Sequence, residues 1–173
     1  MNALADAAGK AGIEPFEISR LFDAPRDLVW EVFTQSEHLK HWWSPKGFGI
    51  GENSVDLRPG GMFHYGLITP DGKPFWGRFV YREIVPPEKL VYVVSFSDAY
   101  GGVARHIFQG VWPLEILSET TFEAHGGQTR LTVRWVPINA SPDEITAFNE
   151  GRPGMTAGFG GTFDQLEEYL ATL

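Results

Sequence analysis

The chain has 173 residues and a formal net charge of −8, with 14 Lys and Arg against 22 Asp and Glu. A net negative field repels phosphate backbones and anionic lipid, which disfavours nucleic acid and membrane surfaces as partners. No apolar run approaches the roughly 20 residues that cross a bilayer, the first dozen residues lack the regions of an export signal, and there is no cysteine for a disulfide, a thiolate metal site or a nucleophile. The reading is a cytoplasmic protein.

A chain of this size buries roughly 70% of its unfolded surface and fits one domain. Phe, Trp and Tyr number 13, 6 and 5, and so many large flat side chains either pack solid or line an apolar pocket. Residues 1–12 are small and polar, and are expected to form a flexible N-terminal arm ahead of a single domain at 13–173. From Pro15 to Phe22 an imperfect alternation of Phe16, Ile18 and Arg20 against Glu17, Ser19 and Leu21 predicts a first strand. Pro25 opens a first helix carrying Leu28, Val29, Val32 and Phe33 at helical spacing, and Ser36 caps a short second one that ends before Trp42, Trp43 and Pro45.

The middle of the chain reads as a strand meander. MFHYGLI and FWGRFVYREIV flank Pro70-Asp71-Gly72-Lys73, a turn that predicts a hairpin. KLVYVVSF places Leu90, Tyr92, Val94 and Phe96 on one face and is expected at a sheet edge. Residues 97–113 show no periodicity, and a connection that long predicts a lid or binding loop. LSETTFEA and TRLTVRWVP form a further strand pair across His125-Gly126-Gly127-Gln128. Ser141-Pro142-Asp143-Glu144 caps a helix, Pro153 and Gly154 interrupt it, and Met155 to Ala171 carries Met155, Phe159, Phe163, Leu166 and Leu170 within one helical stripe. Gly158, Gly160 and Gly161 each cost about 1 kcal/mol inside a helix. They either leave cavity volume beside Phe159, allow close packing or mark a kink.

Three stretches carry a resemblance: DAPRDLVWEVFTQSEHLKHWW at 23–43, HWWSPKGFGIGENSVDLRPGGMFHYG at 41–66 and GRFVYREIVPPEKLVYV at 77–93. Together they resemble the C-terminal domain family of Hsp90 ATPase activator homologues, within the START and Bet v 1-like (SRPBCC) superfamily. Arg58, Gly60 and Gly61 match that family's RPGG turn and are read as backbone and ion-pair features of the fold. The resemblance implies an α+β helix-grip fold: a curved antiparallel sheet wrapped around a long C-terminal helix, with two short helices between the first two strands. It also implies a hydrophobic cavity between sheet and helix.

The leading expectation is therefore binding of a small hydrophobic or aromatic molecule, with Trp43, Phe48, His64, Trp76, Arg78, His106, Trp112, Glu115, Trp135, Met155, Phe159 and Phe163 as candidate lining residues. An alternative is a cyclase, aromatase or hydrolase in which His64 or His106 serves as acid–base group and Arg78 polarises a carbonyl. A third reading, co-chaperone action on Hsp90, is disfavoured because only a short arm precedes the first strand, where the eukaryotic proteins carry a further domain. No cofactor is expected, and the assembly is read as monomer or homodimer. His38 and His41, three apart with Glu37, Asp56 or His64 nearby, lack known zinc spacings and are assigned no metal. No GxSxG, GxxxxGK or strand-borne GxGxxG pattern occurs.

Overall fold

A computed structural model describes residues 2–173. Seven antiparallel strands form one open sheet: β1 (Phe16–Phe22), β2 (Gly49–Val55), β3 (Met62–Ile68), β4 (Pro74–Val85), β5 (Lys89–Ser97), β6 (Glu115–His125) and β7 (Gln128–Ile138), in the order β1-β7-β6-β5-β4-β3-β2. Helices α2 (Arg26–Thr34) and α3 (Ser36–Leu39) stand between β1 and β2, while α4 (Pro142–Glu150) and α5 (Arg152–Leu170) close the chain. This is the Bet v 1-like helix-grip architecture expected from the sequence.

Strand β5 lies at the centre of the sheet, not at an edge as its sequence suggested. Both of its faces are covered, since Leu90 and Tyr92 point into the inner core while Val91 and Val93 pack on the outer side. Strand β2 has no sequence signal. GIGENSV lacks alternation, because it is an edge strand with a register shift between Ile50 and Asn53 and much of it faces water.

The expected arm at 1–12 is instead a docked helix from residue 3 onward, and Met1 lies outside the described residues. In α1 (Ala3–Ala11), Leu4, Ala7 and Ala8 pack on Val91, Val93, Leu117 and Val136 on the outer face of the sheet. Small residues, read from the sequence as too weak to order the segment, are what let the helix backbone approach the sheet closely. The Asn2 side chain accepts from Leu4 N–H at 2.9 Å, and Gly12 ends the helix at φ 68°. Asn2→Ala is expected to weaken this docking by about 1 kcal/mol. Hydrogen exchange should show faster amides in Leu4–Ala8 with β5 unchanged.

Helix α5 lies in the grip of the sheet. Its apolar stripe buries Met155, Phe159, Phe163, Leu166 and Leu170, and Arg20 of β1 ties the helix by an ion pair to Asp164 at 2.7 Å. Aromatic rings fill one end of the hollow. Phe22 meets Phe163 edge-on with centroids 5.5 Å apart, Phe33 meets Phe122 at 5.5 Å and Trp42 at 5.4 Å, and Phe79 stacks on Tyr92 at 4.2 Å. Trp42 is fully buried, with its indole N–H donating to the Val32 carbonyl at 3.0 Å.

The RPGG turn is structural. Arg58 Nε donates to the Asp56 carboxylate at 2.9 Å, Gly60 has φ 83°, and a Cβ on Gly61 would collide with the Asp56 carbonyl oxygen.

Candidate functional site

The other end of the hollow is open. A cavity of about 420 Å³ lies between the inner face of β3–β5, the start of α5 and the 97–113 segment. Its size falls within the range of small-molecule sites, roughly 300–1,000 Å³. The register explains which side chains reach it. Phe63, Tyr65 and Leu67 alternate inward on β3, opposite Phe79, Gly77 and Phe75 of β4, and Gly77 and Phe79 face Phe96 and Val94 of β5.

Six of the candidates read from the sequence meet on this wall: Trp43, His106, Trp112, Trp135, Met155 and Phe159. Six do not. His64, Trp76 and Arg78 have the opposite parity and stand on the outer face, where His64 stacks on Trp76 with ring centroids 4.8 Å apart. There His64 Nε2 lies 3.1 Å from the Asp98 carbonyl oxygen, and Arg78 Nη1 donates to the Gly101 carbonyl at 2.8 Å. Both side chains thus hold the 98–102 turn rather than a ligand, and Arg78 Nε is buried without a partner. Glu115 also faces away, since its neighbour Ile116 is the one at the cavity, and it accepts from Asn139 Nδ2 at 3.3 Å. Phe48 packs behind the wall against Phe75 at 5.9 Å, and Phe163 sits deeper in the solid core. The acid–base enzyme expected from a cavity histidine with Arg78 is left with His106 alone.

His38 and His41 serve helix packing. The His38 Nδ1 lies 2.7 Å from the Tyr169 hydroxyl, and the His41 ring stacks on Tyr169 at 4.9 Å.

The 97–113 segment is irregular, as expected, and it wraps from the outer face to the cavity. Its first turn is held by His64 and Arg78. Farther on, Arg105 pairs with Glu144 of α4 at 2.9 Å, and Trp112 packs against Phe148 at 5.7 Å. Between these ties His106 and Gln109 border the cavity, while Ile107, Phe108 and Val111 are exposed.

Among the described residues, no Asp, Glu, Lys or Arg lines the cavity. Its polar groups are few, and sequence reasoning missed Tyr65, Gln109 and Thr162 among them. Tyr65 is 8% exposed, and burial holds its phenol far above the usual value, offset in part by the neighbouring Trp43 indole N–H. The phenol is therefore a neutral donor at every ordinary pH. The Thr162 hydroxyl is spent within the protein on the carbonyls of Ser44 and Gly158, both at 3.1 Å. Gly158 itself borders the cavity, and a Cβ there would meet nothing within 4 Å. Gly161 is the close-packing case, its Cβ position lying 3.2 Å from Lys46.

His106 packs on Phe96 with ring centroids 4.4 Å apart, and its Nδ1 accepts from the Phe108 backbone N–H at 2.9 Å. Burial pushes this imidazole below its ordinary value. The native chain thus resists a proton that the unfolded chain accepts as the pH falls below about 6.5. The stability contributed by neutral His106 is full above that pH and is lost progressively as the pH drops toward the depressed native value. Urea midpoints measured from pH 7 to 5 are expected to fall more steeply in the wild type than in His106→Gln. Parallel profiles would assign the pH dependence to other groups.

Fold and cavity together define a helix-grip protein built around an uncharged apolar hollow. The chain belongs to the family described as activator of Hsp90 ATPase homolog 1-like proteins, whose model matches residues 23–171. Solved structures agree with the fold. A protein from Arthrobacter aurescens superposes with a TM-score of 0.78 at 22% identity, covering 94% of this chain and 89% of that one. One from Nitrosomonas europaea gives 0.72 at 24% identity, covering 99% and 97%. A Silicibacter pomeroyi protein described as AHSA1 gives 0.67 at 17% identity, covering 92% and 99%. No curated protein sequence matches the chain. Among the described residues, no helix is long and apolar enough to cross a membrane.

Proposed function

We propose that this protein binds a small, neutral, hydrophobic or aromatic molecule in the cavity between the sheet and α5. The observation that supports this reading is the combination of a cavity of about 420 Å³ with a wall that is aromatic and free of charged side chains. Burying apolar surface drives association at about 25 cal/mol per Å². A charged ligand would lose its hydration with no counter-ion in reach. Packed at the density of a protein interior, about 0.75, the space takes roughly 300 Å³ of ligand, the size of a few fused rings.

Three of the six tryptophans line the cavity, namely Trp43, Trp112 and Trp135. Titration with N-phenyl-1-naphthylamine, an uncharged fluorescent probe, is expected to give saturable one-to-one binding with quenching of tryptophan emission. Linear, non-saturating partition of the probe would count against the reading. Membership of the family supports a second reading, stimulation of an Hsp90 ATPase. An ATPase assay with purified Hsp90, run with and without the probe, tests that reading separately.

A further inference from the structure

One row of the sheet organises the polar part of the cavity. Tyr65 lies directly across from Gly77, and Gly77 directly across from Phe96. A Cβ on Gly77 would collide with the Tyr65 ring and its hydroxyl. The missing side chain on β4 is therefore what lets the phenol lie across that strand toward β5. From the other side His106 packs on Phe96, so the row brings Tyr65 and His106 toward one another over the same phenylalanine. Both residues border the cavity.

Both are also donors. Burial keeps the Tyr65 phenol protonated, with the Trp43 ring edge-on to it at 5.9 Å, so its O–H is available as a donor. In His106 the Phe108 N–H occupies Nδ1 as an acceptor, which places the ring proton on Nε2. Several other polar groups of the wall are committed or stand apart: Thr162 donates to backbone carbonyls, Trp135 Nε1 donates to Ser118 Oγ at 3.0 Å, Ser95 alternates to the outer face opposite Arg78, and Gln109 is exposed at the mouth.

We propose that the Tyr65 hydroxyl and His106 Nε2–H form a paired donor site for the carbonyl oxygen of a neutral aromatic or conjugated ketone. A carbonyl oxygen has two lone pairs and takes two donors at once. An aromatic body suits the rings around it, and the lack of any cation on the wall turns away the corresponding carboxylic acid. This rests on the cavity reading above and names the class of ligand that the cavity selects.

The test uses three probes of one shape, 2-acetylnaphthalene, 2-ethylnaphthalene and 2-naphthoate, with affinities read by calorimetry on the full chain at pH 7.5. The ketone is expected to bind about 10-fold tighter than the ethyl compound, the gain of two net hydrogen bonds, and the carboxylate weaker than the ketone. Tyr65→Phe and His106→Phe keep a ring at each position. Each should remove several-fold of the ketone preference, read as the ratio of ketone to 2-ethylnaphthalene affinity within one variant, so that any change of the wall felt by both probes cancels. Equal binding of ketone and ethyl compound by the wild type, or a ratio unmoved in both variants, would overturn the donor pair and leave the apolar cavity standing. Failure of all three probes to bind would overturn the cavity reading along with it.

Discussion

Gly158→Leu is expected to yield a protein that is more stable than the wild type and binds its ligand roughly 10- to 100-fold less tightly. Glycine inside a helix costs about 1 kcal/mol relative to leucine or alanine, so the substitution stabilises α5 directly. For a chain of this length that corresponds to a rise in Tm of about 2–4 °C. No neighbour opposes it, since nothing lies within 4 Å of the added Cβ. Gly158 borders the cavity, and a leucine side chain reaching into it competes with the ligand at the cost of an overpacked site, about 1–3 kcal/mol. Opposite signs for stability and affinity separate this account from one in which the hollow is merely a packing defect. Calorimetric Tm and probe titration on the same sample check both halves. A variant with raised Tm and undiminished affinity would show that the ligand sits elsewhere.

Trp42→Ala is expected to lower stability by about 3–5 kcal/mol, a drop in Tm of about 10 °C or more. The ring is fully buried among Phe33 and Trp43, and its loss also leaves the Val32 carbonyl without the indole donor. Trp43→Ala should cost distinctly less. That ring packs edge-on against Phe79 at 5.2 Å on one side, but on the other it already borders empty space. Adjacent tryptophans thus divide the labour between brace and wall. Urea unfolding of the two single variants measures the difference, and equal losses would mean that Trp43 is as tightly enclosed as Trp42.

Much of the fold was legible because its signals are local. The α5 stripe from Met155 to Leu170, the capping box at Ser141 and Glu144, and the Asp71-Gly72 turn between β3 and β4 each follow from a few adjacent residues. The inward parity of β4 was not. Trp76 and Val80 give its outer face as apolar a look as Phe75 and Phe79 give its inner face, so alternation alone did not say where Arg78 points. The reason lies outside the strand. The 98–102 turn folds back over that outer face and shelters Arg78 and Ser97, an arrangement set by contacts remote in sequence. Tyr65 was missed for a similar reason, since its place in the cavity depends on the glycine across from it on β4. The docking of α1 likewise depends on the apolar outer residues of β5, β6 and β7, which no pattern within residues 3–11 reveals.

A guest entering the hollow beside α5 would be reported by one methyl group. Of the three methionines, Met155 lines the cavity, whereas Met62 lies on the outer side of β3 beside Gly101. In protein labelled with ¹³C-methyl methionine, titration with 2-acetylnaphthalene is expected to shift the Met155 resonance saturably while Met62 stays in place. A Met155 signal that does not move at probe concentrations saturating the fluorescence change would contradict the account.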